Sequence, residues 1–306
     1  MKLFLSALAV ATILQASRTP QTVADELLGA DRGFGADAAK TSAISALSAT
    51  FADDVALLVG APTPGFARGK AQAIEALRAN PDNAQGRLEW VPIRVGVSAD
   101  GEHGFTFGYM RLTRSDGSQV PIKYVAYWVK KREGWRVAVY KRVTAEQAPT
   151  TLGKMPPSLP QALVPPSSDA AAIARHKASL EAAERAFSGE AQRIGLGPAF
   201  AKHGHDDAVN VGPRTSPTFV VGAAEIGKTL GAGSPAPTSP VRWAPDEGSL
   251  VASSGDLGVT FGFIRQNATP PSDSAPGKPP GQPAAVPFIT VWRRASSTEP
   301  WRYIAE

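Results

Sequence analysis

Phe105-Thr106-Phe107-Gly108-Tyr109-Met110 is the stretch on which the reading of the fold turns, because its centre returns as Phe261-Gly262-Phe263. Outward from it, Asp31, Phe34, Asp54, Trp90, Pro92, Trp128 and Trp135 return as Glu184, Phe187, Asp207, Trp243, Pro245, Trp292 and Trp301. The register barely drifts: 187 − 34 and 243 − 90 are both 153, and 261 − 107 is 154. A constant offset through aromatic, proline and glycine positions marks a duplicated structural unit. The 306 residues accommodate two such units, each large enough to bury its own core.

The same stretch also speaks about the faces of its sheet. Its odd positions are aromatic, yet Met110 and Leu112 on the opposite face are apolar too, and Tyr124 to Val129 is apolar on both faces. A sheet with one solvated face alternates more cleanly between polar and apolar residues. One face is therefore expected against helices and a pocket, and the other against a second sheet. The other repeat is the obvious partner, giving a dimer within one chain; separated, solvated sheets would refute this.

Within each copy, helices come first and antiparallel strands follow, which is an α+β layout. Thr22 to Phe51 suits one long helix or two consecutive ones, followed by a short strand at Val55–Val59 and a helix from Gly69 that stops at Asn80-Pro81. Strands are expected at about 88–98, 103–114, 122–131 and 135–142. The second copy repeats this with helix over about 169–203, a strand at Ala208–Val211, a helix near Ala223–Leu230, and strands around 250–253, 258–266, 288–293 and 301–305. The six prolines between Thr144 and Ser168 read as a linker. The domains are then 21–143 and 169–306, with a linker at 144–168. A second Pro-rich stretch, 269–287, holds seven prolines and is a loop inserted between paired strands of the second copy.

The first residues have the form of a secretory leader. Lys2 is basic, Leu3 to Leu14 is apolar, and Ala16 is a small residue at a plausible cleavage point, so 1–16 is read as a signal peptide. The alternative is a retained anchor, for which the apolar run is short. Export to the periplasm or beyond is the expectation, with no stable membrane anchor after cleavage. The absence of cysteine excludes disulfides, thiol catalysis, thiolate metal sites and acylation at a lipoprotein cysteine. The net charge of +5 is scattered, in short runs such as Lys130-Lys131-Arg132, so no nucleic-acid partner is expected.

Taken in order, Asp/Glu-x-x-Phe, Phe51-Ala-Asp-Asp-Val55, Trp90-x-Pro92, Gly104-Phe-Thr-Phe-Gly-Tyr109 and a closing Trp128…Gly134-Trp-Arg136 resemble a SnoaL-like domain of the nuclear transport factor 2-like superfamily. Trp243-Ala-Pro245, Val291-Trp-Arg-Arg294 and Trp301-Arg-Tyr303 carry the pattern in the second copy. The resemblance implies two cone-shaped half-barrels, each with helices on a curved antiparallel sheet and a pocket at the open end, pairing through their sheets. It also implies a superfamily of isomerases, dehydratases, cyclases and epoxide hydrolases beside many non-enzymatic members, so fold alone selects no reaction.

Candidate chemistry is sparse. Asp53-Asp54, matched by Asp206-Asp207, offers a carboxylate at a pocket mouth, although Asp at a helix-to-strand handover is commonly a turn residue. His203-Gly-His205-Asp206-Asp207 is the densest polar cluster and is private to the second copy. It reads as an exposed turn, a His–Asp acid–base pair or a divalent-metal site, in that order. Tyr109, Tyr124, Tyr127 and Tyr140 offer phenol donors but read first as core, and the recurring tryptophans read as packing. The weak catalytic candidates are thus His205, Asp206, Asp207 and Asp54; no cofactor or resident metal is expected. The leading expectation is a module binding a small apolar ligand or a purely structural one. The alternative is an isomerase- or dehydratase-like enzyme using the second pocket, and the sequence leaves open whether this is an enzyme.

Overall fold

A computed structural model describes residues 18–60, 64–233, 237–267 and 285–306. The leader at 1–16 and residues 269–284 of the Pro-rich loop lie outside the described residues. No helix among the described residues is long and apolar enough to cross a membrane.

Local chemistry sets the first elements. Thr19 and Thr22 form a reciprocal cap, and Pro20 occupies the first turn, so helix α1 (Pro20–Ala38) starts there. Ser42 accepts from Ser45 N and starts α2 (Ala43–Thr50). The helical stretch read from sequence is therefore two helices. Then come β1 (Phe51–Val59), β2 (Gly65–Arg68), α3 (Gly69–Arg78), α4 (Pro81–Gln85), β3 (Arg87–Val97), β4 (His103–Thr113), β5 (Gln119–Lys131) and β6 (Gly134–Thr144). The second half has α5 (Ala170–Ile194), α6 (Leu196–His203), β7 (Gly204–Asn210), β8 (Val220–Val221), α7 (Ala223–Ala232), β9 (Val241–Val251), β10 (Leu257–Gln266), β11 (Val286–Arg293) and β12 (Arg302–Ala305).

Each half is an α+β half-barrel, and the two sheets share one topology. Their strand orders are β2-β1-β6-β5-β4-β3 and β8-β7-β12-β11-β10-β9. The β1–β6 and β7–β12 pairs are parallel and the others antiparallel. Between the halves, the backbone at Met155 and Ser158 bonds to Ile93 and Val95 of β3. Strand β9 begins at Val241 and takes in Trp243-Ala-Pro245, well before the strand read from sequence at 250–253. As an edge strand it tolerates a proline, and the register shift opposite Phe261 and Phe263, with Gly248 at φ 138°, absorbs the bend. Pro92 sits beside the matching shift in β3.

Both faces of each sheet are covered. The inner face of the first carries Trp90, Met110, Leu112, Tyr124 and Trp128 against Leu27 and Leu47 of the helices. Its outer face carries Phe105, Phe107, Tyr109 and Val139 in one cluster with Val209, Val259, Phe261 and Ile289 of the second half. Phe219 packs with its ring centre 5.0 Å from Phe107 and 5.3 Å from Tyr109.

Inside each cone a buried carboxylate joins helix to sheet. Asp31 of α1 accepts from Trp90 Nε1 at 2.7 Å and from the Tyr124 hydroxyl at 2.9 Å. Glu184 of α5 accepts from Trp243 Nε1 at 2.6 Å, from Trp292 Nε1 at 2.9 Å and from the Thr260 hydroxyl. Phe288 stands where the first half has Tyr124, so the phenol donor is lost; the longer Glu side chain reaches the second indole instead. Burial raises the pKa of both carboxyls, against the pull of these hydrogen bonds.

Replacing Asp31 with Ala strands two buried donors, each costing about 1–3 kcal/mol. Urea unfolding of Asp31→Ala is therefore expected to show a loss of roughly 2–6 kcal/mol. A loss within experimental error of zero would show that the carboxylate does not hold this half together.

Candidate functional site

The two cones share a plan but not their contents. In the first, the Tyr140 hydroxyl reaches 3.1 Å from Met110 Sδ, and about 10 Å³ remains beside Asp31 and Trp90. In the second, a cavity of about 190 Å³ opens. Strand register explains the difference. Val139 pairs with Tyr127 as Ala305 pairs with Val291, so Glu306 stands where the first half has Tyr140. Ile264 likewise replaces Met110. A tyrosine plug has become a carboxyl group beside open space.

The cavity wall is apolar, formed by Leu196, Phe200, Leu230, Val241, Trp243, Ile264 and Phe288. Its polar end is Glu306, Asn210, Thr290 and Lys141. Asn210 Nδ2 donates to Glu306 Oε2 at 3.0 Å, and the Thr290 hydroxyl donates to Oε1 at 3.4 Å. Asn210 and Thr290 stand at the positions of Leu57 and Ala126, so the polar end belongs to the second half only. Glu306 is buried; desolvation, reinforced by the charge of Glu184, pushes its carboxyl up to about 8, with Lys141, Asn210 and Thr290 acting the other way. A carboxyl raised in this way holds its proton more tightly than an ordinary glutamate, and its protonated form can donate a hydrogen bond or a proton inside an apolar chamber. Lys141 comes from β6 of the first half. Burial pushes its ammonium down, opposed by Glu306, and it makes no hydrogen bond or ion pair among the described residues.

The residues singled out from sequence lie elsewhere. Asp54 is exposed, 3.7 Å from Lys131, and Asp53 sits 3.2 Å from Lys70. Asp206 is exposed too, and neither Asp54 nor Asp206 lines this cavity. His203 pairs with Glu190 at 2.6 Å and stacks on Phe187. His205 and Asp207 are brought together, Nδ1 to Oδ1 at 2.5 Å, and Arg94 of the first half binds the same Asp207 side chain and its carbonyl. His205 borders a separate groove of about 620 Å³ that is lined also by Asp256, Arg293, Arg294 and residues 159–162 and 164. The hydrogen bond from His205, with the charge of Arg94, holds the Asp207 carboxyl down at about 2, which makes it a poor proton acceptor near neutral pH.

The tyrosines are core. Tyr124 serves Asp31, Tyr140 fills the first cone, Tyr109 packs on Phe219, and Tyr127 lies 3.0 Å from His103 Nδ1. Among the described residues no three His, Asp or Glu side chains converge as a metal ion would require.

Sequence reasoning missed Glu306. Its signal was an acid directly after the apolar run Tyr303-Ile304-Ala305, at the place of an aromatic residue in the other copy. Asp31 and Glu184 were noticed as a recurring pair, but not as buried acceptors for the tryptophans.

No family model and no curated protein matches the chain. Solved structures that are similar to it include a ketosteroid isomerase-like protein from Erwinia carotovora atroseptica, 18% identical, covering 42% of this chain and 95% of that one, with a TM-score of 0.30. Another is an NTF2-like protein with a cystatin-like fold from Novosphingobium aromaticivorans, 16% identical, covering 42% of this chain and 85% of that one, with a TM-score of 0.32. A third is an NTF2-like protein of unknown function from Shewanella oneidensis MR-1, 13% identical, covering 39% of this chain and 96% of that one, with a TM-score of 0.31.

The raised pKa of Glu306 has a stability consequence of definite sign. Between its ordinary value of 4.5 and about 8 the folded chain holds a proton that the unfolded chain has released. Stability on this account is full below the lower value and falls as pH rises through the window, by at most about 1.4 kcal/mol per pH unit. Thermal unfolding of Glu306→Gln across pH 4.5–8 is expected to show a flatter profile than the parent. Parallel profiles would show that Glu306 titrates normally.

Proposed function

We propose that this chain is an exported tandem SnoaL-like protein whose second half binds a small, largely apolar molecule. The supporting observation is the asymmetry of the cones: about 190 Å³ of apolar-walled space with a polar end in one, about 10 Å³ in the other. A concave, apolar site with a few convergent polar groups is the usual form of a small-molecule pocket. In this reading the first half, residues 21–143, is the filled copy that supports the second, residues 169–306, and the two remain paired in solution as a pseudo-dimer. Residues 144–168 link them. The leader-like start supports a periplasmic or secreted location.

One observation favours a second reading, an isomerase- or dehydratase-like enzyme. Glu306 is a buried carboxyl with a raised pKa beside an apolar chamber, which suits general acid work on a bound carbonyl or hydroxyl. Binding is favoured over this reading because, among the described residues, no second proton-transfer group is hydrogen-bonded to Glu306 as His205 is paired with Asp207.

Benzyl alcohol titrated into the full chain and followed by saturation-transfer NMR is expected to bind saturably. Ile264→Trp fills the cavity and is expected to weaken binding by at least about tenfold, or ~1.4 kcal/mol, with thermal unfolding as the check on folding. Ile264→Phe is the milder companion. Saturable binding that survives both substitutions would place the ligand outside the cone and overturn the reading.

A further inference from the structure

We infer that the molecule held in the second-half cavity is a small aromatic monocarboxylate whose head is met by Lys141, a residue of the first half. This rests on the cavity being a binding site, and it adds the ligand's chemical class. Size and wall come first. The cavity, about 190 Å³, is of the order of the ~150 Å³ apolar cavity that holds benzene. Phe200, Trp243 and Phe288 offer it aromatic surface.

The polar end decides the head group. Both oxygens of Glu306 already accept hydrogen bonds, from Asn210 and Thr290, which leaves little there for a ligand cation. Lys141 is in the opposite position. Lys141 lines the cavity, is half-buried, and its ammonium, with three donors, has no hydrogen bond or ion pair among the described residues. An ammonium facing an apolar wall gains from an acceptor or counter-charge that meets it. A ligand carboxylate supplies both. It also accepts a charge-assisted O–H···O⁻ bond from the protonated form of the Glu306 carboxyl. An amine would place a second positive charge beside Lys141, and an alcohol would leave its charge unmatched. The second cone is therefore complete only with a side chain from the first half.

The test compares benzoate, benzyl alcohol and benzylamine on the full chain by the quenching of tryptophan fluorescence, with saturation-transfer NMR as a second readout. In the parent protein benzoate is expected to bind at least about tenfold more tightly than benzyl alcohol, and benzylamine most weakly. Lys141→Met is expected to abolish the preference, so that benzoate binds no more tightly than benzyl alcohol in the same variant. Lys141→Arg is expected to retain the preference, and Lys141→Gln stands in if the Met variant fails to fold. Benzoate binding no tighter than benzyl alcohol, or indifferent to Lys141→Met, overturns the carboxylate inference while leaving the cavity reading intact. Failure of all three probes to bind the parent overturns both.

Discussion

Helix and sheet in each half are joined at a point where no water reaches, and the joint is a carboxylate. Asp31 and Glu184 are each fully enclosed, yet each is satisfied: one indole N–H and a phenol meet the first, and two indoles and a threonine hydroxyl meet the second. A buried acid with such partners fixes its surroundings because any shift that breaks one bond leaves an unpaired polar group. The helix cannot slide along the sheet without stranding a tryptophan, so the cone keeps its shape whether filled or open. That rigidity lets the same frame carry a plug in one copy and a cavity in the other.

The frame also tolerates reciprocal exchanges of volume. Phe51 pairs with Val137 in the first half; at the matching place Gly204 pairs with Tyr303. A Cβ on Gly204 would come within 2.5 Å of the Tyr303 ring, so the large side chain has moved from one strand to its neighbour. Close packing makes such swaps obligatory in pairs. Around the apolar cluster between the sheets lies a polar rim with similar reciprocity. Asp100 accepts from Ser253 and Ser254 of the second half, while Asp256 accepts from Ala99 N of the first. Lys123 is enclosed and donates to the carbonyls of Ser216 and Thr218 at 2.8 and 3.2 Å. Arg94 with Asp207 belongs to this rim, which is why the His205 cluster sits between the halves and not within a cone.

Much of the architecture was legible in the sequence because it rests on periodicity and repetition. The repeat offset located both halves, and the two-sided apolarity of 105–112 and 124–129 marked a sheet without a solvated face. Strand β9 was shortened in that reading because proline and glycine normally end strands, and its edge position was invisible without the topology. The site was less legible. Polar density drew attention to His203–Asp207, but density in sequence measures neither burial nor direction. Glu306 lacked any polar neighbour in sequence; Asn210, Thr290 and Lys141 reach it from other strands. The offset from Trp135 to Trp301 sets Glu306 at the place of Tyr140, but that alignment shows neither its burial nor its partners.

Divergence between the copies is concentrated accordingly. The carboxylate-bearing helices, the tryptophans and the glycines of the central strands keep their roles, whereas Tyr140, Leu57 and Ala126 are exchanged for Glu306, Asn210 and Thr290. These three changes depend on one another. A glutamate alone at the tyrosine position would lie buried without acceptor-satisfying donors, at a cost of several kcal/mol for the charged form. The amide and hydroxyl meet its two oxygens, and burial keeps the proton on. The three exchanges thus meet one another's hydrogen-bonding needs, at the place where Tyr140 fills the first cone and a cavity opens in the second.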